Sequence, residues 1–581
     1  MTARWLLGVA AVAVMFAAAD TYVVVLALPD MMTSVGLGID QLQRAAPILS
    51  GFLLGYVGVL PLIGRIADLR GRTPVLIGSL VVFAIGSVVT AASYSLDTMV
   101  LGRFVQGVGG GGLVPATLAL VADMWPAERR GLPLGVVGAV QELGSVLGPL
   151  YGAMVLSFGD WRAIFWLNMV VAFVLVAALL TLRRRDRAGR GTARPRVPDV
   201  AGLVLGLATL IAVVLVMTQP DRLVTDVNYG LAFLPVTGGS RWLTPVALTG
   251  LGLLVLFVVR QAFAQRPLLA WRTWGATARD TDLPGAALLA IALGGIIVAF
   301  ASADPQRQVL AASGPWLLVM AAVAAGLFGW RQARAHNPLV PRGALSRTSA
   351  WGSVLVSLFV GSSLIAALVD IPFFARLTVY TDSQLQAALV LVRFLVALPV
   401  GALAGGWLTR RVPAGVLVAT GMGCAAVSFL VMARWGSQEL NHASATIPLV
   451  VAGLGFGLAI APVNAVVLAS TDDTVHGVAS AFIVVARMVG MLVGISALTT
   501  IGLHRFYAVA TRIPSVQVLC PSHPADCPAY TDRLVGAGLA QLHAVFVGAA
   551  VCALLAGVAA LVTFRGARTR AGVPAYLEIG L

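Results

Sequence analysis

Apolar stretches of roughly 18 to 25 residues recur along the whole chain, separated by short runs that hold nearly all of its charge. A helix of that length crosses a hydrocarbon core about 30 Å thick. The pattern predicts spans at residues 5–28, 47–64, 74–92, 99–121, 132–156 and 164–182, and a second six at 351–374, 385–408, 415–432, 447–470, 476–513 and 530–564. Four more apolar segments, at 200–218, 244–263, 284–301 and 315–330, bring the total to about sixteen. Helices satisfy their backbone polar groups within one segment, as lipid demands, and the alternation of a membrane β-barrel is absent. The expected protein is all-α and polytopic, with a six-helix bundle in 1–182, a cytoplasmic Arg-rich linker at 183–199, inserted central helices at 200–350 and a second six-helix bundle at 351–581.

The central block reads as a duplicated hairpin. Asp199 and Gly202 open its first half as Asp282 and Gly285 open its second, and Arg260-Gln261-Ala262 before Pro267-Leu268 recurs as Arg331-Gln332-Ala333 before Pro338-Leu339. The last two spans are too long for a bilayer, so a protrusion is expected on the outer side, with a loop near 514–530. Cys520 and Cys527 lie in that loop, where an oxidising compartment permits a disulfide, whereas Cys424 and Cys552 lie in spans.

Composition agrees with a life in lipid: 59% of the residues are hydrophobic, 11% are charged and the mean hydropathy is +0.93. The net charge of +15 carries no nucleic-acid signal, because the basic residues, all 39 of them Arg, are scattered over short loops. Clusters at Arg65, Arg70 and Arg72, at Arg129 and Arg130, at 183–196, 260–279 and 331–347, at Arg410 and Arg411, and at 565–570 all fall on one side of the predicted topology. The positive-inside rule makes that side the cytoplasm and places both termini there, in the inner membrane of a bacterium. The first apolar run is longer than a signal-peptide core and lacks a convincing cleavage site, so it is read as a retained span. No phosphate loop, metal-ligand cluster or nucleophile elbow is present, so neither an enzyme nor a cofactor or metal is expected.

Candidate chemistry resides in charges kept inside spans, where each costs about 2.5–3.5 kcal/mol on insertion scales and is usually paired or lines a cavity. Asp20 lies about 22 Å into the first span at about 1.5 Å per residue, and Arg103 just inside the outer end of the fourth. A motion that separates them would load and unload a proton on Asp20; a static salt bridge that fixes packing is the competing reading. Glu142 and Arg487 share a mid-membrane depth in equivalent helices of the two bundles and are expected to pair across a central cavity. Asp370 and Arg393 are read as the second bundle's version of Asp20 and Arg103.

Three motifs point to a family. Gly64-Arg65-Ile66-Ala67-Asp68-Leu69-Arg70-Gly71-Arg72 lies between spans two and three, and Arg103-Phe104-Val105-Gln106-Gly107 in span four. Span five carries Gly144-Ser145-Val146-Leu147-Gly148-Pro149 with Gly152. With Asp20-Thr21 and Trp161-Arg162 they resemble the fourteen-span drug:proton antiporters of the major facilitator superfamily. The phrases Asp20-Thr21-Tyr22-Val23-Val24-Val25, Gln141-Glu142-Leu143-Gly144 and Val484-Val485-Ala486-Arg487-Met488 resemble most closely its actinobacterial branch of triacylglyceride and multidrug exporters, which work beside a lipid-carrying lipoprotein.

The resemblance implies two six-helix bundles about a pseudo-two-fold axis, alternating access, and a latch at Gly64, Asp68, Arg70, Gly71 and Arg72. It also implies leak control by Gly144, Gly148, Pro149 and Gly152, no cofactor, and a periplasmic lipoprotein as partner. The second central hairpin departs from the fourteen-span pattern. The function expected is proton-coupled export of drugs or lipids such as triacylglycerides across the inner membrane. A non-transporting scaffold or sensor on the same fold is the rival.

Overall fold

The computed structural model describes residues 2–37, 42–189, 199–264, 268, 275, 277, 280–301, 313–381, 383–520 and 527–567. The first bundle consists of α1 (Thr2–Ser34), α2 (Leu42–Arg70), α3 (Arg72–Ala91), α4 (Leu96–Gly111) continued by α5 (Leu113–Met124), α6 (Gly131–Phe158) and α7 (Arg162–Gly189). The central helices are α8 (Val200–Thr218), α9 (Pro245–Phe263), α10 (Leu283–Ala301) and α11 (Gly314–Arg334). The second bundle holds α12 (Thr348–Leu377), α13 (Gln384–Leu408), α14 (Ala414–Met432), α15 (Thr446–Ala469), α16 (His476–Ala510) and α17 (Pro528–Thr563).

Among the described residues fourteen helices are long and apolar enough to cross a membrane, with α4 and α5 counted as one; α1 and α6 are two more long helices packed among them. The protein is therefore an all-α, multi-pass membrane protein. Hydropathy locates the helices but undershoots the ends of several: α1 runs from Thr2 to Ser34 rather than 5–28, because a helix continues into the polar interface where hydropathy falls. Local chemistry explains several ends. Gly71, at φ +86°, makes the reversal between α2 and α3 in a conformation other residues avoid. Ser95 and Thr98 form a capping box at the start of α4, and Thr244 caps α9 one residue before Pro245.

The two bundles repeat one packing scheme. In the first, α1 packs on α6, α2 and α3 both on α4, and α3 on α7; in the second, α12 packs on α16, α13 and α14 both on α15, and α14 on α17. Glycines set the closest approaches, since a Cβ at Gly107 would fall 2.1 Å from the Phe52 carbonyl oxygen, and one at Gly490 2.0 Å from that of Leu358.

The hairpins share their terminal chemistry as well as their sequence. Asp199 accepts from the Gly202 N–H (3.1 Å) and pairs with Arg260 (3.1 Å). Asp282 accepts from the Gly285 N–H (3.1 Å) and pairs with Arg331 (2.7 Å). Each carboxylate thus caps the first helix of its hairpin and ties it to the end of the second. Their settings differ. The α8–α9 hairpin is joined to the first bundle through Trp242 and Arg241 at Tyr94, whereas α10 packs against α2 and α16, across the seam between bundles.

α16 and α17 run 35 and 36 residues, about 50 Å at 1.5 Å per residue, well beyond a hydrocarbon core. Their connection carries the Cys520–Cys527 disulfide, while Cys424 and Cys552 are free.

Candidate functional site

Three groups of polar residues stand out inside the bundles. The first surrounds Asp20. Arg103 Nη1 donates to Asp20 Oδ2 at 2.7 Å, and both side chains are about 99% buried. The Gln106 amide donates to Asp20 Oδ1 and to Ser87 Oγ, both at 3.0 Å, and its carbonyl accepts from Arg103 at 2.6 Å. Asn168 of α7 is a further donor to Asp20, and Arg103 lies over the Phe52 ring, 4.4 Å from its centroid. The carboxylate is thus shared by α1, α4 and α7, with α3 behind Gln106. Such saturation makes the buried pair tolerable, and removal of one partner would leave the other charge stranded.

Against this cluster leans α6. A Cβ at Gly144 would lie 2.3 Å from the Met15 carbonyl oxygen, and one at Gly148 2.6 Å from that of Ala19, so the motif glycines hold α6 on the backbone that carries Asp20. Gly152 is buried; the side chain of Pro149 lies outside the described ones.

The second group closes the Arg-rich end. Asp68 accepts from the Gly477 and Val478 N–H groups (2.8 and 3.1 Å) at the start of α16, so the negative charge of one bundle sits on the positive end of a helix of the other. Arg72 forms an ion pair with Asp68, a second with Asp123 (3.3 Å) and a hydrogen bond to the Asp473 carbonyl (3.3 Å). Arg70 reaches Thr277 instead. Gly64 and Gly477 face each other so closely that a Cβ on either would fall within 2.5 Å of the other's carbonyl oxygen. Arg130 adds a bridge absent from the motif, donating to Ala122, Trp125 and, across the seam, Leu468. On the opposite seam Gly131 meets Gly406. Among the described residues, every side-chain hydrogen bond that joins the two bundles lies at this end.

The third group is mid-membrane. Glu142 and Arg487 are each 8% exposed, and Arg487 acts electrostatically on both Glu142 and Tyr56, yet no ion-pair contact joins Glu142 to Arg487. The expected pair is therefore apart in this conformation. A narrow cavity is lined by Arg487, Asn464 and Ser357 with Val360, Ile460 and Ile483.

The expectation for Asp370 and Arg393 needs correction. Asp370 and Arg393 do not form the counterpart of Asp20 and Arg103. Arg393 donates to Thr446 of α15 (3.0 Å), and half-buried Asp370 has no hydrogen-bond or ion-pair partner among the described residues. Ser363 donates to the Ala549 carbonyl of α17 and Leu377 meets Gly538 of α17; Asp370, seven residues from each, therefore lies on the α17-facing stripe of α12. Equal depth does not imply a common face.

Gln106 and Arg130 enter the sequence reading only within a motif and a charge cluster, without a role of their own, and Ser87, Tyr56, Asn464 and Ser357 do not enter it. The i, i+3 spacing of Arg103 and Gln106 puts both on one face and was the available signal.

The arrangement offers a buried carboxylate cage, a charged contact between the bundles at one end, and a buried Arg487 on a mostly apolar cavity with Glu142 apart from it. Residues 10–330 match the family model of the Major Facilitator Superfamily. The chain is 36% identical over 529 residues to the triacylglyceride transporter of Mycolicibacterium hassiacum, covering 89% of this chain and 82% of that protein. It is 34% identical over 522 residues to the triacylglyceride transporter of Mycobacterium tuberculosis H37Rv, covering 87% and 83%.

Among solved structures, the human organic anion transporter MFSD10 superposes with a TM-score of 0.53 at 15% identity over 96% of this chain and 99% of that one. A proton:xylose symporter superposes at 0.50 and 13% identity over 94% and 95%. These two likenesses concern the fold alone. By motif, packing scheme and relatives together, the chain belongs to the major facilitator superfamily and is a membrane transporter, not an enzyme.

Proposed function

We propose that this protein exports strongly apolar lipids of the triacylglyceride class, and apolar drugs by the same route, across a bacterial inner membrane in exchange for protons. The observation that carries the reading is the pairing of an Arg-rich end held closed by Asp68 with two buried opposite charges that make no ion pair, Arg487 on a mainly apolar cavity and Glu142 apart from it. The names of the relatives at 34–36% identity support the lipid class. Positive-inside charge makes the latched end cytoplasmic and puts both termini there, so the conformation is closed to the cytoplasm.

In the proposed cycle, Glu142 takes a proton from the outer side while it stands apart from Arg487, and the latch opens. The cavity then receives lipid at the cytoplasmic side, and loss of the proton inward lets Glu142 and Arg487 attract one another across the seam. Asp20, caged by Arg103, Gln106 and Asn168, is the second proton site, freed when α6 slides on α1. The disulfide-bearing loop between α16 and α17 is the docking point proposed for a periplasmic lipid-carrying lipoprotein. Gradient-driven movement of labelled triacylglyceride in proteoliposomes tests the reading. Loss in Glu142→Gln and Asp20→Asn is expected, and undiminished movement in both variants would overturn the proton-coupled mechanism.

A further inference from the structure

Separate from the central cavity, a lipid-facing groove opens between the helices of the second hairpin. α10 and α11 touch where Gly295 meets Leu317 and Ala321, a Cβ at Gly295 falling 2.9 Å from the Leu317 carbonyl oxygen. Towards the Arg-rich end they part, and Ala287 and Ile291 of α10 face Leu327 and Trp330 of α11 across the gap. The groove spans Pro284 to Ile291, about 10 Å of depth at 1.5 Å per residue, and is closed at the membrane surface by Arg331.

The chemistry changes along this groove. Its inner part is aliphatic and exposed to the hydrocarbon. At its mouth Arg331 uses Nε for Asp282 Oδ1 (2.7 Å), and its side chain remains 37% exposed. Beside it the Arg334 guanidinium lies over the Trp330 ring, 4.9 Å from the centroid, and Trp330 is 57% exposed, at a level where an amphipathic ring belongs. An apolar slot with two guanidinium groups and an indole at its mouth complements a molecule with an aliphatic tail and a negative head.

We propose that this groove holds one acyl chain of an anionic phospholipid from the leaflet at the Arg-rich end, with its phosphate on Arg331 and Arg334. Since α10 also packs on α2 and α16, the lipid sits beside the helix that bridges the seam and stabilises the docked hairpin. The site is distinct from the transport route and does not depend on what is transported.

The test uses the full-length, delipidated protein in detergent. Phosphatidylglycerol and phosphatidylcholine with identical acyl chains are compared by native mass spectrometry, and a phosphatidylglycerol with a photoreactive chain maps the contact. Phosphatidylglycerol should bind about fivefold tighter, the factor supplied by one basic residue at an anionic surface. Crosslinks should fall on Leu288, Ile291 or Leu327.

Ala287→Trp, at an exposed position, fills the groove and should abolish the crosslinks without change in the lipid-free melting temperature. Arg334→Gln, also exposed, should remove the preference for phosphatidylglycerol even if the first variant fails to fold. Equal binding of the two lipids, or crosslinks elsewhere on the protein, would overturn the proposal.

Discussion

Asp68→Asn should loosen the Arg-rich end. The wild-type carboxylate accepts two backbone hydrogen bonds from the first turn of α16, at 2.8 and 3.1 Å, and is the ion-pair partner of Arg72; its side chain is 1% exposed. Hydrogen bonds to a charged group contribute about 1.5–3 kcal/mol each, against about 1 kcal/mol for neutral ones. The amide retains one acceptor and turns a donor towards the second N–H. Arg72 keeps Asp123 at 3.3 Å, which limits the loss.

A net weakening of about 2–3 kcal/mol follows, a factor of about 30–150 in the ratio of closed to open ends. Spin labels at Leu69 and Thr474, both exposed beside the latch, with Cys424 and Cys552 replaced by Ala, report that ratio as a distance distribution. The long-distance population should grow in Asp68→Asn and more in Asp68→Asn with Arg72→Gln. A distribution unchanged in both would refute the latch.

Two further outcomes are expected. Gly148→Val would press a side chain against the Ala19 carbonyl, 2.6 Å from the new Cβ, and should cost about 1–3 kcal/mol of stability together with transport, read by thermal unfolding and flux; unchanged values in both would contradict the close α1–α6 contact. Asp20→Leu should lower stability by about 3–5 kcal/mol because Arg103 is left buried without its partner, and Asp20→Leu with Arg103→Met should recover most of that loss while abolishing transport; equal stability of single and double variants would contradict the pair.

The helices were legible because lipid imposes one rule on all of them. Residues 200–218 are expected from hydropathy alone and form α8 with the same ends, and the repeated Asp, Gly and Arg of the central block correspond to repeated caps and ion pairs. Depth was legible too, since rise per residue is constant, and it brought Asp20 to the level of Arg103. Azimuth was harder. Asp370 and Arg393 satisfy the depth argument and fail on facing, because each helix turns its polar residue towards a different neighbour. Gln106 and Ser87, polar groups without charge, carried no insertion penalty large enough to single them out, although the cage depends on them. The separation of Glu142 from Arg487 depends on the side-chain directions of two helices in different bundles, which a pattern of residues does not specify.

Proton-gradient-driven movement of labelled triacylglyceride in proteoliposomes, with wild type compared with Glu142→Gln at equal reconstitution, tests the central claim most directly. The account predicts movement in wild type that collapses with the gradient and is lost in Glu142→Gln. Movement by Glu142→Gln at the wild-type rate, or movement in wild type indifferent to the gradient, would contradict it.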